Sequence, residues 1–150
     1  MLSKIDNSPI VVVDRHPIHA FLVPFPMACF SGALLTDLTY WRTAEMMWAD
    51  FSAWLLAFGL VLGFLAALAG LFDYFTNRLV RRDARGWLHM IGSIAVLALS
   101  LLNAFVHSRD AWTSVVPTGM ILSAVVVFLM IVSAFAGRSI AATTATAGHP

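Results

Sequence analysis

The sequence predicts an all-α integral membrane protein, a four-helix bundle with both termini cytoplasmic, and three observations carry that prediction. The chain is 60% hydrophobic and only 11% charged over 150 residues, far from the balance of a soluble domain. Four apolar windows, residues 19–40, 51–75, 87–106 and 115–136, are each long enough to cross about 30 Å of hydrocarbon at about 1.5 Å per residue. With the amino terminus inside, that side carries Lys4, Arg15, Arg78, Arg81, Arg82, Arg85 and Arg138, against only Arg42 and Arg109 outside. Basic residues gather in this way on cytoplasmic loops.

Residues 1–14 form a short polar cytoplasmic arm, residues 15–137 the four-span domain, and residues 138–150 a tail rich in Ala, Thr and Gly that is expected to be disordered. The arm has no apolar stretch of signal-peptide length, so insertion starts at the first span. That span opens on Arg15-His16-Pro17-Ile18-His19 and continues through Val23-Pro24-Phe25-Pro26. Pro17 suits a first helical position. Pro24 and Pro26 each remove a backbone donor and push Val23 and Phe25 toward extended geometry. Either the span is kinked low down, or residues 16–25 are irregular and the helix proper begins at Pro26. Cys29, the only cysteine, reads as a small packing residue and can form no intrachain disulfide.

The second span carries Gly59, Gly63, Ala66, Gly70, Asp73 and Asn77 at steps of three and four. Such a seam lets a neighbouring helix or a flat ligand come close. The basic 78–85 loop that follows is a topology signal resting on anionic headgroups, not a nucleic-acid patch. Trp87 then stands near the inner interface and Trp41, Trp48 and Trp112 near the outer one, as an aromatic belt requires.

The third span, residues 86–107, reads GWLHMIGSIAVLALSLLNAFVH. His89 and His107 are eighteen residues apart, five full turns, so both imidazoles lie on one face about 27 Å apart. Ser93, Ser100 and Asn103 fall near the same line, and a polar stripe on an apolar helix must face the inside of a bundle. The fourth span opens on Pro117-Thr118-Gly119, carries Ser123 and Ser133, and reads as a wall of the bundle.

Antiparallel spans then assemble two polar clusters. The inner one joins His16, His19, Asp73 and His89; the outer one joins Asp37, Asn103, His107 and Thr118. Three chemistries fit the inner cluster. His19 and His89 suit the axial ligation of a haem b, with Gly70 or Gly92 making room for the porphyrin. His16, His19 and His89 with Asp73 have the donor types of a bare transition-metal site. The third reading binds no cofactor, the groups only capping helices and holding the bundle together. In the outer cluster the reading favoured is an ion pair between Asp37 and His107, with a quinol site or a second metal or haem end as the alternatives. No nucleophile with a base and an orienting group is visible, which disfavours a hydrolase.

At His16-Pro17-Ile18-His19, Phe25-Pro26, Asp37, Gly70 to Asp73, Gly86-Trp87-Leu88-His89, Asn103 and Pro117-Thr118-Gly119, the chain resembles the bacterial membrane family catalogued as domain of unknown function 2231. The likeness covers about residues 16–137, and Ala20 stands where the family often has a second proline. Some members are joined to Rieske iron–sulfur domains or accompany secreted dehydrogenases, so the resemblance implies a redox setting in the bacterial inner membrane. The expectation is an electron-transfer subunit carrying haem b at His19 and His89, with His16 and Asp73 supporting. Its partners would be the lipid bilayer, a redox enzyme or cytochrome, and quinone, with a homo-oligomer also open. The alternatives are a non-enzymatic membrane anchor or assembly subunit, and a metal-binding membrane protein.

Overall fold

A computed structural model describes residues 17–76, 84–109 and 115–146, all of it helix and short turns. Helix α1, Pro17–Leu22, runs into α2, Pro24–Thr43; α3 is Met46–Thr76 and α4 is Ala84–His107. A kinked stretch, Val115–Gly119, then leads into α5, Met120–Thr146. Four stretches are long and apolar enough to span a membrane: Ile18–Thr43, Met46–Thr76, Gly86–His107 and Val115–Phe135. The 1–14 arm, His16, Asn77, Arg78, Arg81, Arg82, Trp112 and His149 lie outside the described residues.

Each span packs against two others, α2 on α3 and α5, and α4 on α3 and α5, which closes a four-sided bundle. All four contribute to one core layer of Phe30, Ala33, Leu56, Val96, Val126 and Met130. The outside of the bundle is lined by exposed Phe58, Phe64, Phe105, Phe128 and Phe135. In water such a surface would drive association; facing hydrocarbon it is the expected exterior.

The first span settles the question its prolines raise. Val23 keeps helical backbone, φ −54 and ψ −39, and is a single turn residue between α1 and α2. The helix is carried across by Val23 N donating to His19 O at 3.1 Å and Met27 N donating to Val23 O at 3.4 Å. Pro24 and Pro26 therefore cost the i+4 donors of Ala20 and Leu22 without turning the chain extended. The extended geometry expected for Val23 is not adopted, because the bonds on either side hold it in the helix. His19 and Asp37 consequently stay on one continuous inner face.

The fourth span does not begin as a regular helix: Val116 has φ −118 and ψ 125 and precedes a cis bond to Pro117. The stretch from residue 138 to Thr146 continues α5 as helix. Its Ala-rich composition, which lacks any hydrophobic period, has the best intrinsic helix former and continues α5 without a break.

At the other end of α2, Ala44 adopts the left-handed conformation, φ 55 and ψ 20, and its N–H donates to Tyr40 O at 2.8 Å. This cap closes the helix in two residues, so α2 and α3 leave the turn already side by side. The small-residue seam of α3 faces that contact. A methyl on Gly59 would lie 2.6 Å from Phe30 Cε1, and one on Gly63 would lie 2.7 Å from Leu97 Cδ2. Neighbouring side chains thus fill this part of the seam.

Candidate functional site: two polar centres in the bundle

The polar stripe of α4 faces inward as its spacing demands. Ser100, Asn103 and His107 are buried, and His89 and Ser93 are half-buried. The core layer containing Val96 separates the stripe into two centres, about 27 Å apart by helical rise.

At the first centre, α1 brings His19 against α3. The His19 Nδ1 lies 2.9 Å from Ala66 O, and a carbonyl only accepts, so Nδ1 carries the proton. In a neutral ring bonded this way the lone pair falls on Nε2, the tautomer that binds metals. The ring is seated on Gly70, where an added methyl would lie 3.0 Å from both Cε1 and Nδ1. Ala66 and Gly70, one turn apart, therefore act together: one fixes the tautomer and the other leaves room for the ring.

His89 of α4 faces this seat. The two imidazole centroids are 6.3 Å apart with planes at 85°. Among the described residues His89 Nδ1 is buried without a hydrogen-bond partner of good geometry, and the ring also interacts with the Ser133 backbone. Ser93 Oγ donates to the His89 carbonyl at 2.9 Å. Gly92 admits Ser133, whose Oγ occupies the space a Gly92 side chain would need.

Neither glycine thus leaves an open slot of its own: Gly70 seats His19 and Gly92 seats Ser133. Asp73 is half-buried on α3, beyond Gly70. Among the described residues no three His, Cys, Asp or Glu side chains converge to hold a metal, so Asp73 does not complete a donor set with His19 and His89.

The second centre is a closed network. Asp37, Asn103, Ser123 and His107 are all buried. His107 Nε2 lies 2.9 Å from Asp37 Oδ1, and its Nδ1 lies 3.0 Å from Asn103 O. Ser123 Oγ donates to Asp37 Oδ2 at 2.6 Å and accepts from Asn103 Nδ2 at 2.8 Å. Asp37 thereby ties the first span to the third and fourth. Close by, Thr36 Oγ1 and Ser52 Oγ are 2.7 Å apart and tie α2 to α3. Asn103 Oδ1 and Ser100 Oγ, one turn apart on α4, are buried without partners among the described residues.

Thr118 does not join this network. It is exposed in the turn that precedes α5, because the non-helical backbone at Val116 resets the helical phase. Ser123, one regular turn into α5, takes the place expected for it. Ser123 and Ser133 were legible only as wall residues; the signal that each is a polar interruption in an aliphatic helix, and so should face inward, was available.

Residues 15–148 match the family model described as "Predicted membrane protein (DUF2231)", and the chain belongs to that family. No curated protein and no solved structure matches it.

Proposed function

We propose that this protein is a membrane-integral electron-transfer subunit that holds a b-type haem between His19 and His89 and serves a partner redox enzyme. The observation that carries the reading is the pair of imidazoles on separate helices, 6.3 Å between centroids and nearly perpendicular. Two imidazoles on one metal, each with a bond of about 2.0 Å, place their nitrogens about 4 Å and their ring centres roughly 6 Å apart.

Ligand count favours haem over a bare ion. A bare Zn2+ or similar ion takes about four protein ligands, whereas only these two meet among the described residues. Haem brings four nitrogens of its own and asks the protein for two axial ligands. Bound there, the group would supply a one-electron centre inside the membrane.

The residues around the pair do what such a site requires. Ala66 O accepts a hydrogen bond from His19 Nδ1–H, which leaves Nε2 as the ligand atom and raises its basicity. Gly70 fixes the ring position, so little rotamer entropy remains to be lost on ligation. The apolar layer of Phe30, Leu56, Val96 and Val126 closes the centre off from the opposite half of the bundle. The excess of basic residues around the first and third span starts places this centre on the cytoplasmic side of a bacterial inner membrane in this reading, with quinone a candidate exchange partner.

A second reading has its own support. The glycine positions are filled by Phe30, Leu97, His19 and Ser133, which suits a non-enzymatic anchor or assembly subunit whose polar groups serve packing alone. One experiment separates the two. The protein, produced under haem-sufficient conditions and purified in mild detergent, is expected to show a Soret band and a reduced α band with close to one haem per chain. Folded protein without absorbance in either region, and without haem by pyridine extraction, would overturn the haem reading and leave the anchor.

A further inference from the structure

The second centre carries an inference that does not rest on the haem. We propose that Asp37 and His107 form a single proton-binding site, holding one proton between Asp37 Oδ1 and His107 Nε2 and remaining neutral as a unit.

The count follows from the partners. Asn103 O can only accept, so His107 Nδ1 must donate to it and is protonated. Ser123 has one hydroxyl proton, accepts from the Asn103 amide, and spends its proton on Asp37 Oδ2. Only the 2.9 Å contact between Oδ1 and Nε2 remains. With no proton there, a carboxylate would face an imidazole lone pair in a buried site. With two, an imidazolium would face a neutral carboxylic acid, a net positive charge buried without a counter-charge. One proton satisfies both atoms, as imidazolium with carboxylate or as imidazole with carboxylic acid. Passage between these forms breaks Nε2–H and makes Oδ1–H; the nitrogen keeps the electron pair and the net charge of the pair stays zero.

The surroundings add no compensating charge among the described residues. On α2 the Tyr40 hydroxyl points to Met46 Sδ at 3.9 Å. On α3 Ser52 is engaged by Thr36 and by backbone carbonyls, and Asp50 is exposed. On α4 Arg109 is exposed, and α5 offers Ser123 alone to the pair. Loss of the proton would leave a bare negative charge in a site from which water is excluded, and such a charge is strongly disfavoured. The pair is therefore a one-proton unit held by three helices.

The test is nitrogen NMR of histidine-labelled protein in lipid bilayers, with the His107 signals identified by their loss in His107→Gln. In the wild type Nδ1 is expected to be protonated and Nε2 to share its proton with Asp37. In Asp37→Asn the amide can donate to Nε2 in the carboxylate's place, so Nδ1 keeps its proton and Nε2 becomes wholly unprotonated. An Nε2 that stays protonated in Asp37→Asn, or an unprotonated Nδ1 in the wild type, overturns the proposal. If Asp37→Asn does not fold, the wild type decides alone. The Nε2 signal and the infrared carboxylic C=O band of Asp37 must together account for one proton, and two or none contradicts the site.

Discussion

The two ends of the bundle are built from the same residue types and differ in how their imidazoles are engaged. At the Asp37 end, both His107 nitrogens and both carboxylate oxygens have partners, drawn from three helices. At the His19 end, Nε2 of one histidine is not used in fixing its tautomer, and among the described residues Nδ1 of the other is buried without a partner of good geometry. An imidazole bonded on both nitrogens, as His107 is, holds helices together. The His19 and His89 rings, with fewer such bonds, are the pair on which the haem proposal rests. Helical phase alone makes His89 and His107 equivalent, and only their partners distinguish them.

Substitutions should divide along that line, beginning with the largest effect. Asp37→Ala leaves His107 and Ser123 facing a hole, and His107→Ala leaves a buried carboxylate without its proton partner; each is expected to cost about 3–5 kcal/mol in thermal or denaturant unfolding from micelles. Asp37→Asn, which keeps the shape and the neutrality of the network, should cost roughly 1 kcal/mol. Equal losses for Asp37→Ala and Asp37→Asn would show that charge, not the closed network, stabilises this end.

Next in size is Gly59→Ala. The new methyl would sit 2.6 Å from the Phe30 ring and 3.0 Å from Cys29 Cβ, in the main core layer. Overpacking of this kind costs about 1–3 kcal/mol, read in the same unfolding assay. The seam is then a packing device at this point, whatever the other end binds.

Gly70→Ala is a sharper probe of the difference. Its methyl meets only the His19 ring at 3.0 Å, so the ring must shift and the bond to Ala66 O weakens. The loss of stability should be about 1 kcal/mol, the scale of one hydrogen bond, while haem content per chain falls several-fold. A variant that keeps its full haem content would mean that the His19 seat is not part of the ligand site. Smallest of all should be Phe128→Leu on the exposed face of α5. A change of less than about 0.5 kcal/mol is expected where the side chain meets only lipid.

Much of this architecture is legible in the residues. Length and apolar run give four spans, and the stripe from His89 to His107 gives the inward face of α4, because both depend on helical geometry alone. The meeting of Asp37 with His107 follows from equal eighteen-residue spacings on two helices, provided that Pro24 and Pro26 leave the first helix in phase, and they do. The start of α5 was not legible, because one non-helical residue at Val116 shifts every later residue and exchanges Thr118 for Ser123. Nor was the fate of the glycines. A glycine says that something comes close, and only the packing says whether it is Phe30, His19 or Ser133.

The division between the two ends is tested most directly by reduced-minus-oxidised difference spectra of three proteins recorded side by side in mild detergent: wild type, His89→Ala and Asp37→Asn. A Soret and an α band are expected in the wild type and in Asp37→Asn and should be absent from His89→Ala. No band in folded wild-type protein, or a band that survives His89→Ala, would contradict the assignment of the ligand site to His19 and His89.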